Sequence, residues 1–327
     1  MILEFTKENI EFCAKKLKNG DIVSFPTETV YGLGANALNE NAVKEIYRLK
    51  GRPSINPLIV HIYDINQIDE FCILESFQKE FLEKLKVFWP GPLSLVLPKK
   101  NIIPEIVSAG KPSVAIRMPK HEIALSLFKE TNLPIAAPSA NISGFLSPTT
   151  AYHVDEAFKK FDVPVLNGGS CNVGLESTVL SLLKETPIIL RHGFITKEKI
   201  EKVLGIEIID GTQNKNTLPK DILSPGMLLK HYSPHTPLYL TSEKLPKSKN
   251  AAYISFKNNE GEIQDNLKNK FKTIEFLTSN KETIAKNLFY ILHKLDRMNF
   301  DYIVIDSCDN EGLGLAIMDR VTRATNK

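Results

Sequence analysis

Paired cysteines, long apolar runs and a strong net charge are all missing from this sequence. Its four cysteines are scattered without a CxxC pair, which is typical of reduced thiols rather than of a disulfide framework. Apolar runs stay well below the roughly 18 residues that a membrane span needs. The first residues, MILEFTKENIEF, lack the basic, apolar and small-residue order of a signal peptide. These absences predict a cytoplasmic protein with no membrane partner.

Charge is nearly balanced, with 41 basic residues against 38 acidic ones and a net charge of +3. Proteins that grip nucleic acid mainly by charge usually carry a clustered basic face or a pI above about 9. Contact with nucleic acid is therefore not evident from the composition, and any such partner would have to be recognised locally.

Familiar nucleotide and metal signatures are also missing. There is no GxxxxGK[ST] loop, and GLGANA at 32–37 follows a polar turn without the acidic residue that would hold a ribose. His231 and His235 are four residues apart, but Pro234 and Pro237 disfavour a helical metal-binding face. A nucleotide, if bound, would therefore bind without a Walker loop.

Short apolar runs alternate with helical patterns along the chain, which is typical of an α/β fold. One helical pattern begins at Asn39 or Asn41 and stops at Gly51, and another runs from Thr196 to Gly205. The strand-like runs before residue 205 are DIVSF, PLIVHI, LSLVLP, SVAIRM, LPIAA, VPVL, STVLSLL and PIILR.

The 327 residues are enough for two domains at roughly 100–200 residues each. After IEIID the composition changes to GTQNKNTLPKDILSPGMLLKHYSPHTP, rich in proline, asparagine, threonine and serine. Beyond it, LYLTS, AAYISF, KTIEFL and YIVID are strand-like, and ETIAKNLFYILHKLDRM has the spacing of an amphipathic helix. We predict a first domain over 1–205, a linker or covering segment over 206–235, and a small α/β domain over 236–327.

Four polar segments, each beside a strand end, are predicted to be loops: 25–37, 50–62, 111–119 and 134–150. Taken singly, their polar residues have ordinary explanations. Lys50 and Arg52 suit a helix C-terminus, Arg117 suits a strand end, and Ser139 and Asn141 suit a turn. Taken together, three cations, several hydroxyls and many small residues indicate a site for phosphates.

The motifs PTETVYGLGANA, KGRPSINPLIVHI, WPGPLSLVL, VAIRMP and APSANISG, in this order, resemble those of the YrdC-type threonylcarbamoyl-AMP synthases. The resemblance runs from about residue 5 to 205, and SPGMLLKHYSPHTPL resembles the linker of the longer, two-domain form. It implies a twisted open mixed sheet with helices, followed by a smaller C-terminal Rossmann-like α/β domain.

The resemblance implies that L-threonine, bicarbonate and ATP give threonylcarbamoyl-AMP and pyrophosphate. The product would feed the N6-threonylcarbamoyladenosine modification of tRNA, with a downstream tRNA threonylcarbamoyl transferase as a partner. Carboxylate, carbamate and triphosphate repel one another, so a site for this reaction needs fixed cations. Arginine suits a pair of oxygens and lysine suits a single one.

The family motifs and this chemistry imply three sets of site residues. The catalytic set is Lys50, Arg52, Ser139 and Asn141. The ATP-binding set is Arg52, Asn56, Ser113, Ser139, Ser147, Arg191 and Tyr232. The L-threonine set is Thr29, His61, Arg117, Ala137 and Ser177, with Arg117 expected to pair with the carboxylate. Protein ligands to a metal stay unknown, because Mg²⁺ is expected to arrive with ATP and to keep phosphate and water ligands, with Glu28 as a candidate outer-shell partner.

Two alternatives stay open from the sequence. One is a carbamoyl-adenylate enzyme of hydrogenase maturation, which has a similar domain but adds zinc-finger regions, and the lack of CxxC pairs counts against it. The other is a non-catalytic RNA-binding module with a YrdC-like surface. The near-neutral charge and the lack of an aromatic stacking set favour the enzyme.

The proline-rich segment SPGMLLKHYSPHTP, residues 224–237, is expected to be extended and stiff. Its Met227, Leu228 and Leu229 can be buried, while Lys230, His231 and Tyr232 offer donors toward a nucleotide. An ordinary interdomain linker is the simpler interpretation. The alternative hypothesis is a lid that folds over the ATP site and excludes water from hydrolysable intermediates.

Overall fold

A computed structural model describes residues 1–212, 231–262 and 270–325. Within these ranges the chain forms a large sheet and a smaller C-terminal one. The strands of the large sheet are β1 (Ile2–Leu3), β2 (Val23–Phe25), β3 (Gly32–Asn36), β4 (Ile59–His61), β5 (Leu93–Pro98), β6 (Ser113–Arg117), β7 (Ile135–Ala136), β8 (Val165–Leu166), β9 (Thr178–Ser181), β10 (Ile188–Arg191) and β11 (Ile209–Asp210).

The large sheet has the strand order β1-β8-β2-β3-β7-β4-β6-β5-β9-β10-β11. It combines parallel pairs, such as β4 with β6, and antiparallel pairs, such as β5 with β6, which confirms the predicted open mixed sheet. Its α-helices are Lys7–Lys18, Glu40–Lys50, Ile68–Phe71, Ser76–Leu85, Glu105–Ser108, Glu122–Thr131, Ala151–Ala157 and Lys197–Leu204, with 3₁₀ turns at Ile65–Gln67 and Lys86–Phe88.

The helix Glu40–Lys50 has both of its predicted ends. Its N-cap is Asn39, whose side chain accepts hydrogen bonds from the backbone N–H groups of Asn41 and Ala42. It stops at Gly51, where φ is 58°, in the left-handed region that favours glycine. Lys50 and Arg52 are the residues on either side of this stop.

The strand β3 corrects the prediction that 25–37 is a loop. Glycine weakens the usual strand signal, because it offers no side chain to pack. Here the missing side chains make room for Phe25: a Cβ on Gly34 would lie 2.5 Å from the Phe25 ring, and one on Gly32 would lie 3.0 Å from it. Phe25 therefore lies across β3, and the centroid of its ring is 6.0 Å from the centroid of the His61 ring.

The C-terminal sheet contains β12 (Leu238–Leu240), β13 (Ala251–Ser255), β14 (Thr273–Phe276) and β15 (Tyr302–Ile305). Its order is β12-β15-β13-β14, and all neighbours are parallel, as expected for a small α/β domain. The helices of this part are Lys281–Asp296 and Leu313–Thr325, with a 3₁₀ turn at Glu260–Glu262. None of the helices in the described part of the chain is long and apolar enough to cross a membrane.

The large sheet continues beyond the predicted end of the first domain. The helix Lys197–Leu204 stops at Gly205, as predicted, but β11 then pairs in parallel with β10. Residues 213–230 of the predicted linker lie outside the described residues. The described linker resumes at His231 and contacts the first domain, because the N–H of Ser233 donates to the Gly144 carbonyl at 3.0 Å.

The first domain packs against the C-terminal domain through apolar and polar contacts. Val30, Leu146 and Leu175 from the first domain share one apolar cluster with the helix Lys281–Asp296. The imidazole rings of His153 and His293 stack with their centroids 3.8 Å apart. At Gly174, where φ is 75°, an added Cβ would lie 2.4 Å from the carbonyl oxygen of Lys286.

The close approach at Gly174 predicts that Gly174→Ala will separate the two packed surfaces. We expect a loss of about 1–3 kcal/mol in the free energy of unfolding beyond the cost of the left-handed backbone, because overpacking forces backbone shifts. Gly169→Ala is the matched control, since Gly169 has a φ of 71° with open space around its missing Cβ. Thermal and urea unfolding of both variants measures the difference, and equal losses would contradict the argument.

Candidate active site

A buried cavity lies at the edge of the large sheet where β4, β6 and β10 end, and the described linker closes it. Since these strands present their last residues at one edge, side chains distant in sequence meet there. The lining residues are Thr27, Thr29, Val30, Tyr31, Gly32, Arg52, Ile59, His61, Arg117, Ala137, Pro138, Ser139, Glu176, Ser177, Arg191, His231 and Tyr232.

Three buried arginines line this cavity, and two of them, Arg52 and Arg191, are held by backbone carbonyls. Arg52 donates from Nε to the Asn56 carbonyl at 3.1 Å and from Nη2 to the Pro57 carbonyl at 2.9 Å. Arg191 donates from Nε and Nη2 to the Ser177 carbonyl at 3.1 and 2.8 Å. Burial lowers the pKa of Arg52 to about 10 and also lowers the pKa of Arg191. Removing water from these cations makes an anionic ligand favourable here.

Lys50 lies beside the cavity and does not line it. Its ammonium donates to the carbonyl of Ser139 at 2.7 Å and makes a shorter hydrogen bond to the carbonyl of Asn141. Burial, and then the charge of Arg52, lower the pKa of Lys50 well below its usual range. In this arrangement Lys50 holds the loop after β7, so any contact with phosphates would require it to exchange a carbonyl.

The loop after β7 is fixed by its own side chains. Ser139 Oγ donates to Asn141 Oδ1 at 2.5 Å, and Asn141 Nδ2 donates to the carbonyls of Ile142 and Phe145 at 2.9 and 2.8 Å. Ser139 therefore lines the cavity, whereas Asn141 is turned into its own loop. Of the predicted catalytic set, the structure places Arg52 and Ser139 on the cavity wall, with Lys50 and Asn141 behind it.

All five residues of the predicted L-threonine set line the cavity: Thr29, His61, Arg117, Ala137 and Ser177. Arg117 Nη2 donates to Thr29 Oγ1 at 3.0 Å, and Thr29 Oγ1 lies 2.8 Å from Thr27 Oγ1. Burial, and then the charge of Arg117, lower the pKa of His61 to about 3, so its imidazole is neutral at physiological pH.

Glu28 does not line the cavity. Its Oε1 lies 2.8 Å from Arg117 Nη2 outside hydrogen-bond geometry, so this contact is an ion pair. Its Oε2 accepts a hydrogen bond from the N–H of Lys120 at 3.1 Å. One oxygen therefore has a hydrogen bond and the other has only the ion pair, and the role of Glu28 as an outer-shell partner of Mg²⁺ stays a prediction.

The remaining residues of the predicted ATP-binding set lie at different distances from the cavity. Ser147 is next to the wall, and its hydroxyl donates to Glu176 Oε1. Asn56 is fully buried, and neither polar atom of its side chain has a hydrogen-bond partner. Ser113 begins β6, at the opposite end of that strand from Arg117. Asn56 thus has free hydrogen-bonding capacity, and Ser113 is not brought to the cavity wall.

His231 and Tyr232 of the described linker lie on the cavity wall. Tyr232 is 1% exposed, has a φ of 64°, and its hydroxyl has no hydrogen-bond partner among the described residues. His231 Nδ1 is also buried without a partner, and burial lowers the pKa of this imidazole well below its usual range. The covering role of this segment stays a prediction, and its residues 224–230 lie outside the described residues.

No pattern in the sequence pointed to Glu176, which lines the cavity, or to Arg320, which contacts Glu176. Glu176 lines the cavity, and Arg320 Nε donates to Glu176 Oε2 at 3.0 Å. The motif around Glu176, NVGLEST, carries no pattern specific for a buried carboxylate. Arg320 belongs to the helix Leu313–Thr325, which was not predicted, and the two partners are 144 positions apart.

Two family models together cover most of the chain. Residues 15–193 match the model named Sua5_yciO_yrdC and described as "Telomere recombination". Residues 195–326 match the model described as "Threonylcarbamoyl-AMP synthase, C-terminal domain". The second match covers the part of the chain that contains the smaller sheet.

Relatives resemble the chain over nearly its full length. A threonylcarbamoyl-AMP synthase from Pyrococcus abyssi is 41% identical, over 97% of this chain and 94% of its own. One from Bacillus subtilis is 42% identical, over 95% of this chain and 91% of its own. The crystal structure of P. abyssi Sua5 complexed with L-threonine superposes with a TM-score of 0.87 at 38% identity, over 99% of this chain and 97% of that one. The chain therefore belongs to the threonylcarbamoyl-AMP synthase family, in its two-domain form.

Proposed function

We propose that this chain makes threonylcarbamoyl-AMP and pyrophosphate from L-threonine, bicarbonate and ATP, for the N6-threonylcarbamoyladenosine modification of tRNA. The carrying observation is one buried cavity that combines Arg117, Thr29 and His61 with a second cationic group, Arg52 and Arg191. An amino acid carboxylate and a triphosphate each need a cation held in place, and this cavity holds cations for both.

L-Threonine is proposed to bind at Arg117. The guanidinium is held by Thr29 and Glu28, so it can meet a carboxylate without first being ordered. His61 Nδ1 lies 3.4 Å from the Ile135 carbonyl, and we propose that it donates there, which would leave Nε2 as an acceptor. Ala137, with its small side chain, lines the same part of the site. The threonine hydroxyl is a suitable donor to Nε2.

ATP is proposed to bind at Arg52, Arg191 and Ser139, with Tyr232 closing the cavity over it. The unpartnered polar atoms of Asn56 and the unpartnered hydroxyl of Tyr232 supply hydrogen bonds that the protein itself does not satisfy. Buried polar groups without partners are uncommon and costly, so the Tyr232 hydroxyl on the cavity wall supports a polar ligand there, whereas Asn56 is proposed on the family pattern. Ser147, Ser113, Lys50 and Asn141 are proposed as further contributors on the family pattern.

The proposed reaction joins two anions. The threonine amine and bicarbonate form a carbamate, a carbamate oxygen attacks the α-phosphate of ATP, and the bond from that phosphorus to the leaving pyrophosphate oxygen breaks. Arg52 and Arg191 lower the repulsion between carbamate and triphosphate and stabilise the charge that develops on the phosphate oxygens. No covalent intermediate with the protein is required.

Magnesium is proposed to enter with ATP. The described residues contain no group of three or more His, Cys, Asp and Glu side chains that could hold a metal ion. Glu176, the acidic side chain on the described cavity wall, is already engaged by Ser147 and Arg320. The cations and hydroxyls of the wall suit phosphate oxygens, so we assign Mg²⁺ phosphate and water ligands.

The linker from His231 onward is proposed to act as a lid. The N–H of Ser233 pairs with the Gly144 carbonyl, which attaches the linker to the loop that carries Ser139 and Asn141. A carbamate and a mixed anhydride both hydrolyse in water, and a closed site would keep water from them.

The two alternative functions gain no specific support. An RNA-binding module would need its polar groups on an open surface, whereas the arginines of this site are buried. The match of residues 195–326 to a synthase C-terminal domain favours the synthase over the carbamoyl-adenylate enzyme of hydrogenase maturation. We propose the cytoplasm as the compartment and a tRNA threonylcarbamoyl transferase as the enzyme that uses the product.

The direct test is synthesis by the purified full-length chain. With ATP, bicarbonate, Mg²⁺ and labelled threonine, we expect pyrophosphate and a threonine-containing adenylate in equal amounts. Omitting bicarbonate is the control that separates this reaction from simple amino acid adenylation. A folded protein that forms neither product would overturn the proposed function.

Arg117→Lys tests the threonine site. Lysine keeps the charge but loses the planar guanidinium that can donate two parallel hydrogen bonds to a carboxylate. We expect the KM for threonine to rise about tenfold or more, because one charge-assisted hydrogen bond is worth about 1.5–3 kcal/mol. The KM for ATP should change less than about threefold. Arg48→Lys is the matched control, because Arg48 is exposed and pairs with Glu45. Parallel rises in both KM values would argue against the assignment.

Tyr232→Phe is expected to change stability and ATP binding in opposite directions. The free protein should be as stable or more stable, because the variant removes a buried hydroxyl without a partner, while the KM for ATP should rise about fivefold or more. Tyr47→Phe is the control: its hydroxyl lies 3.0 Å from the carbonyls of Asn56 and Ile106, and its loss should cost about 1 kcal/mol. Melting curves and ATP titrations measure both; a destabilised Tyr232→Phe with normal ATP binding would refute the assignment.

A further inference from the structure

Arg320 is a charged side chain of the C-terminal domain that is 0% exposed. Its Nε donates to Glu176 Oε2 at 3.0 Å, across the contact between the two domains, and its Nη1 donates to Asp319 Oδ2 at 2.9 Å on its own helix. A buried guanidinium is costly unless it is paired, so this cation is held by two carboxylates, one from each domain.

Glu176 presents a difficulty for a triphosphate site. Within the described residues it is the acidic side chain on a wall that also carries Arg52 and Arg191. A free carboxylate there would repel phosphates and would compete with them for the arginines. Both of its oxygens are engaged elsewhere, because Oε1 accepts from the Ser147 hydroxyl and Oε2 accepts from Arg320.

Arg320 also contacts the residue that closes the cavity. Its guanidinium carbon lies 5.4 Å from the centroid of the Tyr232 ring, within the range of a cation–π contact. Tyr232 Cα is in the left-handed region, with φ at 64°, a conformation that a bulky residue adopts only when its surroundings hold it there. The same cation therefore contacts both Glu176 and the covering tyrosine.

We propose that Arg320 is a positioning residue for ATP: it keeps the carboxylate of Glu176 away from Arg191 and holds Tyr232 against the cavity. The C-terminal domain thereby acts on the nucleotide side of the site without touching the nucleotide. This inference rests on the proposed synthase function for the identity of the ligand.

A purely structural role for Arg320 makes a different prediction. If the cation only joins the domains, its loss lowers stability and affects both substrates together. If it positions Glu176 and Tyr232, its loss weakens ATP binding but not threonine binding. Removing the charge of Glu176 then restores a large part of the lost ATP affinity. Ligand affinities and a second substitution therefore distinguish the two roles.

The test measures dissociation constants of the full-length chain for a non-hydrolysable ATP analogue and for L-threonine by titration calorimetry. Arg320→Met should weaken binding of the ATP analogue about tenfold or more. The freed Glu176 carboxylate would take one charge-assisted contact from the phosphates, and a loss of that size corresponds to one such contact. Threonine affinity should change less than about threefold. Arg320→Met with Glu176→Gln should recover at least half of the loss in binding free energy, since the competing carboxylate is gone. Arg323→Met on the same helix, where Arg323 pairs with Asp319, is the control and should bind both ligands normally.

Two results would overturn the proposal: unchanged affinity of Arg320→Met for the ATP analogue, or a defect that Glu176→Gln leaves in full. Arg320→Lys is measured as well, because it keeps the charge and folds if Arg320→Met does not. A single ammonium cannot hold Glu176 and Asp319 and contact the Tyr232 ring together, so we expect weaker binding of the ATP analogue; normal ATP affinity of this variant, together with an unfolded Arg320→Met, would assign Arg320 to stability alone. The wild-type synthesis assay is run beside the titrations. Its failure with intact ATP binding would overturn the proposed function and leave the role of Arg320 to be judged by affinity.

Discussion

The structure depends on burying several arginine side chains at one edge of the large sheet, where water does not solvate them. Arg52, Arg117 and Arg191 are each almost fully buried around the same cavity, and moving a charge out of water is among the most expensive steps in folding. The protein offsets this cost with backbone carbonyls, hydroxyls and the carboxylate of Glu28. An anionic ligand would offset the remaining cost, so the burial of these cations also accounts for the expected affinity of the site for anions.

These partners come from every part of the chain. The carbonyls that hold Arg52 follow the stop of the helix Glu40–Lys50, and the hydroxyl beside Arg117 comes from the turn after β2. Glu28 compensates Arg117 directly, whereas Glu176 is itself compensated by Arg320 from the second domain. The domain contact, sealed by packing at Gly174, is therefore part of the electrostatics of the site rather than a separate feature.

Much of this could be predicted from the sequence, and the exceptions have physical causes. Capping residues and periodic apolar runs identified the helix Glu40–Lys50 and the main strands, because those signals are local. The strand β3 was not predicted, because its glycines weaken the strand signal. They leave room for the Phe25 ring, and this packing cannot be seen in the local sequence. The threonine set converged in the structure as the family motifs implied. The Glu176–Arg320 pair could not be predicted, since a pairing over 144 positions leaves no trace in spacing or composition.

The distance between Glu176 and Arg320 along the chain also has a consequence for synthesis of the protein on the ribosome. With 144 positions between them and elongation at about 5–20 residues per second, Glu176 emerges roughly 7–29 s before its cation. A first domain that folds during translation therefore does so before Arg320 can hold this carboxylate. The nascent chain passes through a stage in which its sheet can be complete while the charges of its cavity are not yet balanced.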